Sequence, residues 1–213
     1  MTSNNTGNNT GTDIGTELWP DVTPDAARRL MLAAVDAFAT RGFHGTTTRD
    51  IATAAGMSPA ALYVHFPSKA AVLFAISRSG HSQALHMIRS ALAADPDPVR
   101  CVTRMTTEFV AWHARRHKVA RIVQYELHAL PDKDFEVVAE LRRATEHTVR
   151  DVISAGVSSG AFTVPDVRTA ARAVLSLGVD VARWYTDTSK PDPDELGRQY
   201  ASLVLAMLGV RPS

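Results

Sequence analysis

One residue of the 213, Cys101, is a cysteine. A single thiol excludes an internal disulfide framework and suits a reducing cytoplasm. No uncharged apolar run is long enough to span a bilayer, and the start lacks the basic-plus-apolar pattern of a signal peptide. A cytoplasmic protein with no membrane partner is therefore expected. Charge of one sign is also missing: 23 Lys and Arg stand against 22 Asp and Glu, a net charge of +1. That argues against strong non-specific binding to a polyanion. No alternating strand pattern of useful length appears, and no internal repeat. What remains is 45% apolar and 21% charged, enough for a sizeable core in an all-α protein.

The first residues are short of anything that packs. The stretch from Met1 to Leu18 is rich in Asn, Thr and Gly. A disordered tail over 1–19 is expected. It has no Arg or Lys, as a basic minor-groove arm would need. The triplets Asn4-Asn5-Thr6 and Asn8-Asn9-Thr10 resemble glycosylation acceptors. Without a secretion signal they read as chance.

The most informative segment runs from Thr46 to Phe66. Thr47 can cap a short helix whose apolar face is Ile51, Ala52 and Ala55. Gly56 stands where the chain must reverse at positive φ. Ser58 then caps a second helix, with Pro59 in its first turn. Leu62 and Phe66 point inward. Pro59, Ala60, Ala61, Tyr63, Val64 and His65 point outward, and small residues there let the helix sink into the major groove of DNA. Tyr63, His65 and Lys69 can reach phosphates. A preceding helix, from Thr23-Pro24-Asp25-Ala26 onward to Phe43, carries Leu30, Ala34, Ala37 and Phe38 on one face. Together these form a three-helix unit. Between Pro24 and Ala70 five basic residues face three acidic ones. Helix N-termini and doubled contacts in a dimer would have to supply the remaining attraction.

Residues from about Pro24 to Ser90 resemble the N-terminal domain of TetR-type bacterial regulators. The resemblance rests on Phe38, Gly42-Phe43, Thr47-Thr48-Arg49-Asp50-Ile51-Ala52, Ala55-Gly56-Met57-Ser58, Leu62-Tyr63, His65-Phe66 and Ser68-Lys69. It implies a nine-helix TetR-like fold: a helix-turn-helix domain over 20–68 and a helical effector-binding and dimerisation domain over 69–213. It also implies a homodimer on a double-stranded, palindromic DNA operator. Thr47, Thr48, Arg49 and Ser58 would meet DNA at the helix starts. Tyr63, His65 and Lys69 would clamp the backbone, and Pro59, Ala60, Ala61 and Val64 would face the groove. Where the family often has Gly-Thr or Gly-Ala before Leu-Tyr, this chain has Ala60-Ala61, which bears on base preference.

Beyond Lys69, Asp-Pro and Pro-Asp pairs divide the chain into helical segments over 69–93, 98–117, 118–130, 133–159, 165–186 and 194–208. The segment over 165–186 is apolar on more than one face and that over 194–208 on one. These two are expected to form a two-fold joint through Val174, Gly178, Val181, Tyr200, Leu203 and Met207. The middle segments are expected to hold a small-molecule effector, with apolar walls and a few directed polar groups. The candidates are Met105, Phe109, Trp112, Tyr125, Glu126, Arg142, Thr145 and Trp184. The helix over 69–93 is the expected lever between the domains.

More loosely, the C-terminal part resembles regulators of steroid and fatty-acid breakdown that respond to acyl-coenzyme A thioesters. The features are Asp151-Val152-Ile153-Ser154-Ala155-Gly156 with Gly160-Ala161-Phe162, and Val181-Ala182-Arg183-Trp184-Tyr185. Arg115, Arg116, Lys118 and Arg121 could meet a coenzyme A phosphate, or form a solvated helix junction. Gly156-Val157-Ser158-Ser159-Gly160 has the spacing of a hydrolase nucleophile elbow, which needs a strand before it. His113 and His117 stand four apart, but Arg115 and Arg116 between them would repel a cation. No catalytic residue, metal or cofactor is expected. A ligand-responsive repressor is the favoured reading, and a helical small-molecule-binding or scaffold protein without DNA activity is the alternative.

Overall fold

The computed structural model describes residues 18–19 and 22–210. Among these the chain forms nine α-helices, one 3-10 turn and no strand. The helices are α1 Asp25–Arg41, α2 Thr48–Ala54, α3 Pro59–His65, α4 Lys69–Ala94, α5 Pro98–Arg115, α6 His117–Tyr125, α7 Asp132–Ser158, α8 Val167–Trp184 and α9 Pro193–Met207. The 3-10 turn, Leu127–Ala129, lies between α6 and α7.

Short polar side chains explain where most helices begin. Ser68 accepts from the Ala71 N–H, Asp97 from Arg100, Asp166 from Thr169, and Asp192 from both Asp194 and Glu195. Each such cap stabilises its helix by about 1 kcal/mol. Pro98 and Pro193 follow two of these caps, where a missing N–H leaves nothing unpaired. The break between α5 and α6 falls earlier than the spacing predicts. Arg116 leaves helical geometry at φ −113, ψ 31, so α6 starts at His117 and ends at Tyr125.

Two large cores hold the helices. One joins Leu30, Met31 and Phe38 of α1, Ile51 of α2 and Leu62 of α3 to Val72, Leu73 and Ile76 of α4. Val119, Ile122 and Val123 of α6 and Val138 of α7 belong to the same core. The other gathers the far half of α4 with α5, α7, α8 and α9 around Ile88, Val102, Met105, Phe109, Ile153, Val174 and Val204. The expected boundary at 68–69 is thus crossed by continuous packing. The expected tail also overshoots. Leu18 and Trp19 are buried in the first core, and Gln83 Nε2 of α4 donates to the Leu18 carbonyl at 2.5 Å. The rest of that expected tail, 1–17, lies outside the described residues.

Candidate DNA-binding face and effector cavity

The turn between α2 and α3 is set by hydrogen bonds that the side chains specify. Thr47 Oγ1 accepts from the Asp50 N–H at 3.1 Å, and the Asp50 carboxylate accepts from the Thr47 N–H at 2.8 Å. This reciprocal box satisfies two otherwise orphaned donors. The Thr47 backbone, then its hydroxyl, holds the Asp50 carboxyl below its ordinary range. At the other end Gly56 has φ +68. Its N–H reaches the Thr53 carbonyl, and the Met57 N–H reaches Ala52. That is the paired bonding of a Schellman stop, which favours glycine at the left-handed position. Ser58 Oγ accepts from Ala61 N, and Pro59 opens α3. Arg29 of α1 donates to the Ala55 carbonyl at 2.6 Å and pins the turn.

The result is one outward face. Tyr63 is 54% exposed and Val64 78%. Arg49, Ser58, Pro59 and Ala60 are exposed as well, while Ala61 and His65 are half-buried. The hydroxyls of Thr48 and Tyr63 meet at 3.2 Å, joining the start of α2 to the middle of α3. Lys69 is placed differently from the expectation. Its Nζ donates to the Phe43 and Thr46 carbonyls at 2.5 and 2.6 Å and lies over the Phe43 ring. Two of its three donors are therefore turned inward, closing the α1–α2 loop.

Glu126 also departs from its expected place. It is not in the cavity wall: its Oε1 accepts from the Phe43 N–H at 3.3 Å, bridging the end of α6 to the same loop. Lys118 Nζ lies 3.6 Å from Asp36 of α1. The basic group is similarly committed. Arg115 pairs with Asp194, and Arg121 donates to the Ala182 and Arg183 carbonyls at the end of α8. These contacts fit the helix-junction reading of that group.

A cavity of about 1320 Å³ lies between α4, α5, α6, α7 and α8. Phe109, Trp112, Tyr125, Arg142 and Thr145 line it. Met105 and Trp184 do not. Met105 is buried in the second core beside a separate void of about 10 Å³, and Trp184 is exposed at the end of α8. His81 and His113 also line the cavity, although neither is among the expected effector residues. The sequence shows them only as isolated histidines, and their convergence depends on how α4 packs against α5. Burial holds both rings well below the ordinary histidine range, at about 4, so they are neutral at pH 7. Arg143 and Arg172 in the wall pair with Glu136 and Glu146. Arg142 donates to Gln124 Oε1 at 2.9 Å, and among the described residues it has no carboxylate partner.

The expected joint residues divide in two. Val174, Gly178 and Val181 face α5 of their own chain. The two valines are buried, and a Cβ on Gly178 would stand 2.5 Å from the Phe109 ring. They are interior packing and cannot meet another chain. Tyr200 is half-buried against the same helix pair. Leu203, 62% exposed, and Met207 on α9 remain outside, as do Leu177 and Trp184 on α8.

Ser158 ends α7, with Gly160 at φ +76 beyond it, so the helix-loop geometry differs from a strand-borne nucleophile elbow. Among the described residues no three His, Cys, Asp or Glu side chains converge, and no single helix is long and apolar enough to cross a membrane.

Residues 25–76 match the model of the tetR family of bacterial regulatory proteins, and residues 96–208 that of the tetracyclin repressor-like C-terminal domain. The HTH-type transcriptional repressor KstR2 of Rhodococcus jostii is 32% identical over 179 residues, 83% of this chain and 87% of that protein. KstR2 of Mycolicibacterium smegmatis is 30% identical over 190 residues, 84% of this chain and 90% of that protein. A solved structure of a tetR-family bacterial regulatory protein from Rhodococcus RHA1 superposes with a TM-score of 0.83 at 38% identity, covering 89% of this chain and 100% of that one.

Proposed function

Because the chain belongs to the tetR family of bacterial regulatory proteins, we propose that it is a homodimeric transcriptional repressor. It leaves a palindromic operator when a small apolar or acyl-coenzyme A-type effector fills the cavity. Two relatives 30–32% identical over most of the chain carry the name of repressor, which supports that sign of regulation. It acts in the cytoplasm as a binding protein and not as an enzyme.

The observation that carries this reading is the placement of α6. Ala120 and Val123 line the cavity. Val119, Ile122 and Val123 lie in the core shared with α1, α2 and α3. One helix therefore feels both the cavity and the outward face. On that face Arg49, Tyr63 and His65 contact phosphates, and Thr48 lies at the helix start. Ala60, Ala61 and Val64 approach base edges. Leu177, Trp184, Leu203 and Met207 form the two-fold joint, because they are the large apolar side chains that α8 and α9 leave exposed. Burying them between two chains fixes the spacing of the two α3 helices, which must sit one DNA turn apart, roughly 34 Å.

An effector wedged against α6 moves the Glu126–Phe43 and Lys118–Asp36 contacts, and with them α1. A coupling of about 1–3 kcal/mol would weaken operator binding some five- to 150-fold. A mobility-shift assay on DNA upstream of the protein's own gene tests this, with acyl-coenzyme A thioesters titrated in. Retarded DNA that thioesters or apolar ligands release supports the repressor. Absence of any retarded complex overturns it in favour of a small-molecule-binding protein without DNA activity.

A further inference from the structure

His81 stands where α4 and α6 cross. A Cβ added to its neighbour Gly80 would lie only 3.3 Å from Val123 of α6. The His81 Nε2 is buried and, among the described residues, has no hydrogen-bond partner. In the neutral ring that nitrogen is a donor or an acceptor according to the tautomer, and a hydroxyl can pair with either. In the same wall His113 Nδ1 lies 2.8 Å from the Phe109 carbonyl, which can only accept, so in the neutral ring Nε2 is left as an acceptor. The wall thus presents an unpartnered imidazole nitrogen on His81, an acceptor on His113 and, within electrostatic range of His81, the Arg142 guanidinium, which has no carboxylate partner among the described residues.

We propose that the effector carries a hydroxyl group at the end that reaches His81, and a carboxylate or similarly acceptor-rich group for Arg142, on a largely apolar body. This rests on the reading of the cavity as an effector site and deepens it. An unsatisfied buried ring nitrogen costs free energy that a hydroxyl, donor and acceptor at once, recovers and a hydrocarbon does not. A polar wall of this kind rejects an analogue lacking the group more sharply than an apolar wall rejects an added one. The position also suits signalling, since a ligand bonded to His81 pulls on the junction of the two helices that run to the DNA-binding face.

Matched pairs differing by one hydroxyl test the proposal: 12-hydroxydodecanoate against dodecanoate, and the 3-hydroxy bile acid lithocholate against 5β-cholanate. Binding is read by quenching of tryptophan fluorescence, since Trp112 lines the cavity. Wild-type protein should bind the hydroxylated member of at least one pair about tenfold more tightly. His81→Phe should bring that pair within about twofold without weakening the deoxy member, and Arg142→Gln should weaken both members alike. Equal binding of both pairs by wild-type protein overturns the proposal, whatever the variants do. A preference that survives His81→Phe also overturns it, and so does failure of every probe to bind. Operator retardation, measured alongside, keeps the two claims apart. Its loss would sink the repressor while leaving the hydroxyl preference standing, and equal binding with DNA still retarded would do the reverse.

Discussion

Acid should destabilise this fold through two rings in its cavity wall. His81 and His113 are held by burial at about 4, against 6.5 for a free histidine. The sign follows from which state binds the proton. Above pH 6.5 both rings are neutral folded or unfolded, and stability does not depend on them. Between 6.5 and 4 the unfolded chain takes up protons that the fold refuses, so stability falls as pH falls. Below about 4 the folded rings also protonate and the loss levels off. One pKa unit is worth about 1.4 kcal/mol, so each ring forfeits about 3 kcal/mol across the window. That is a large part of the roughly 5–15 kcal/mol that holds a domain together. Urea denaturation at pH 7.5, 6 and 5, at one fixed protein concentration so that the proposed dimerisation contributes equally throughout, should show the midpoint dropping steadily. His113→Phe should remove about half of the drop. The replacement keeps a ring against Phe109, whose centroid lies 4.2 Å away, and discards the titrating group. An unchanged midpoint from pH 7.5 to 5 in wild-type protein, or a pH slope in His113→Phe equal to that of wild type, would refute the assignment of neutral buried rings.

Other outcomes follow from the same geometry. Arg49→Ala and Tyr63→Ala should each cost about 1–3 kcal/mol of operator binding per half-site, with thermal stability unchanged because both side chains are exposed. Unaltered affinity in both variants, by fluorescence anisotropy, would remove α2 and α3 from the groove. Leu203→Glu should turn a sedimenting dimer into a folded monomer, since that side chain is 62% exposed in its own chain; a dimer of wild-type strength would place the joint elsewhere. Glu126→Ala should leave effector binding within about twofold yet shrink the effector's grip on operator affinity, because it cuts the Phe43 N–H contact outside the cavity. Full effector-driven release in that variant would exclude the α6 route. Gly178→Leu should destabilise the protein by about 1–3 kcal/mol, since the added atoms meet the Phe109 ring; an unchanged melting temperature would contradict that packing.

The helix-turn-helix was legible from residue order because its forces are local. Thr47, Gly56, Ser58 and Pro59 act on backbone groups within a few positions of themselves, and each sits in the structure where its chemistry places it. The reciprocal role of Asp50 was readable by the same logic, as an acid three residues beyond a threonine cap. Helix starts after the Asp-Pro and Pro-Asp pairs were legible for the same reason. The apolar stripes, however, say only that a face is buried and not against what. Val174, Gly178 and Val181 read as a joint between chains and lie instead against α5. Lys69 and Glu126 read as ligands of DNA and effector, and both are tied to the Phe43 loop, 26 and 83 residues away along the chain. Leu18 and Trp19 end a stretch rich in Asn, Thr and Gly and are nonetheless buried in the first core. His81 and His113 are 32 positions apart, and no local rule couples them. Residue order alone determined the caps, the turn, the class of fold and the outward face of α3, because those depend on neighbours in the chain. Tertiary packing decided which stripes face inward, which ions are spent holding helices together and which polar groups converge on the cavity, because those depend on how α4 through α9 cross in space.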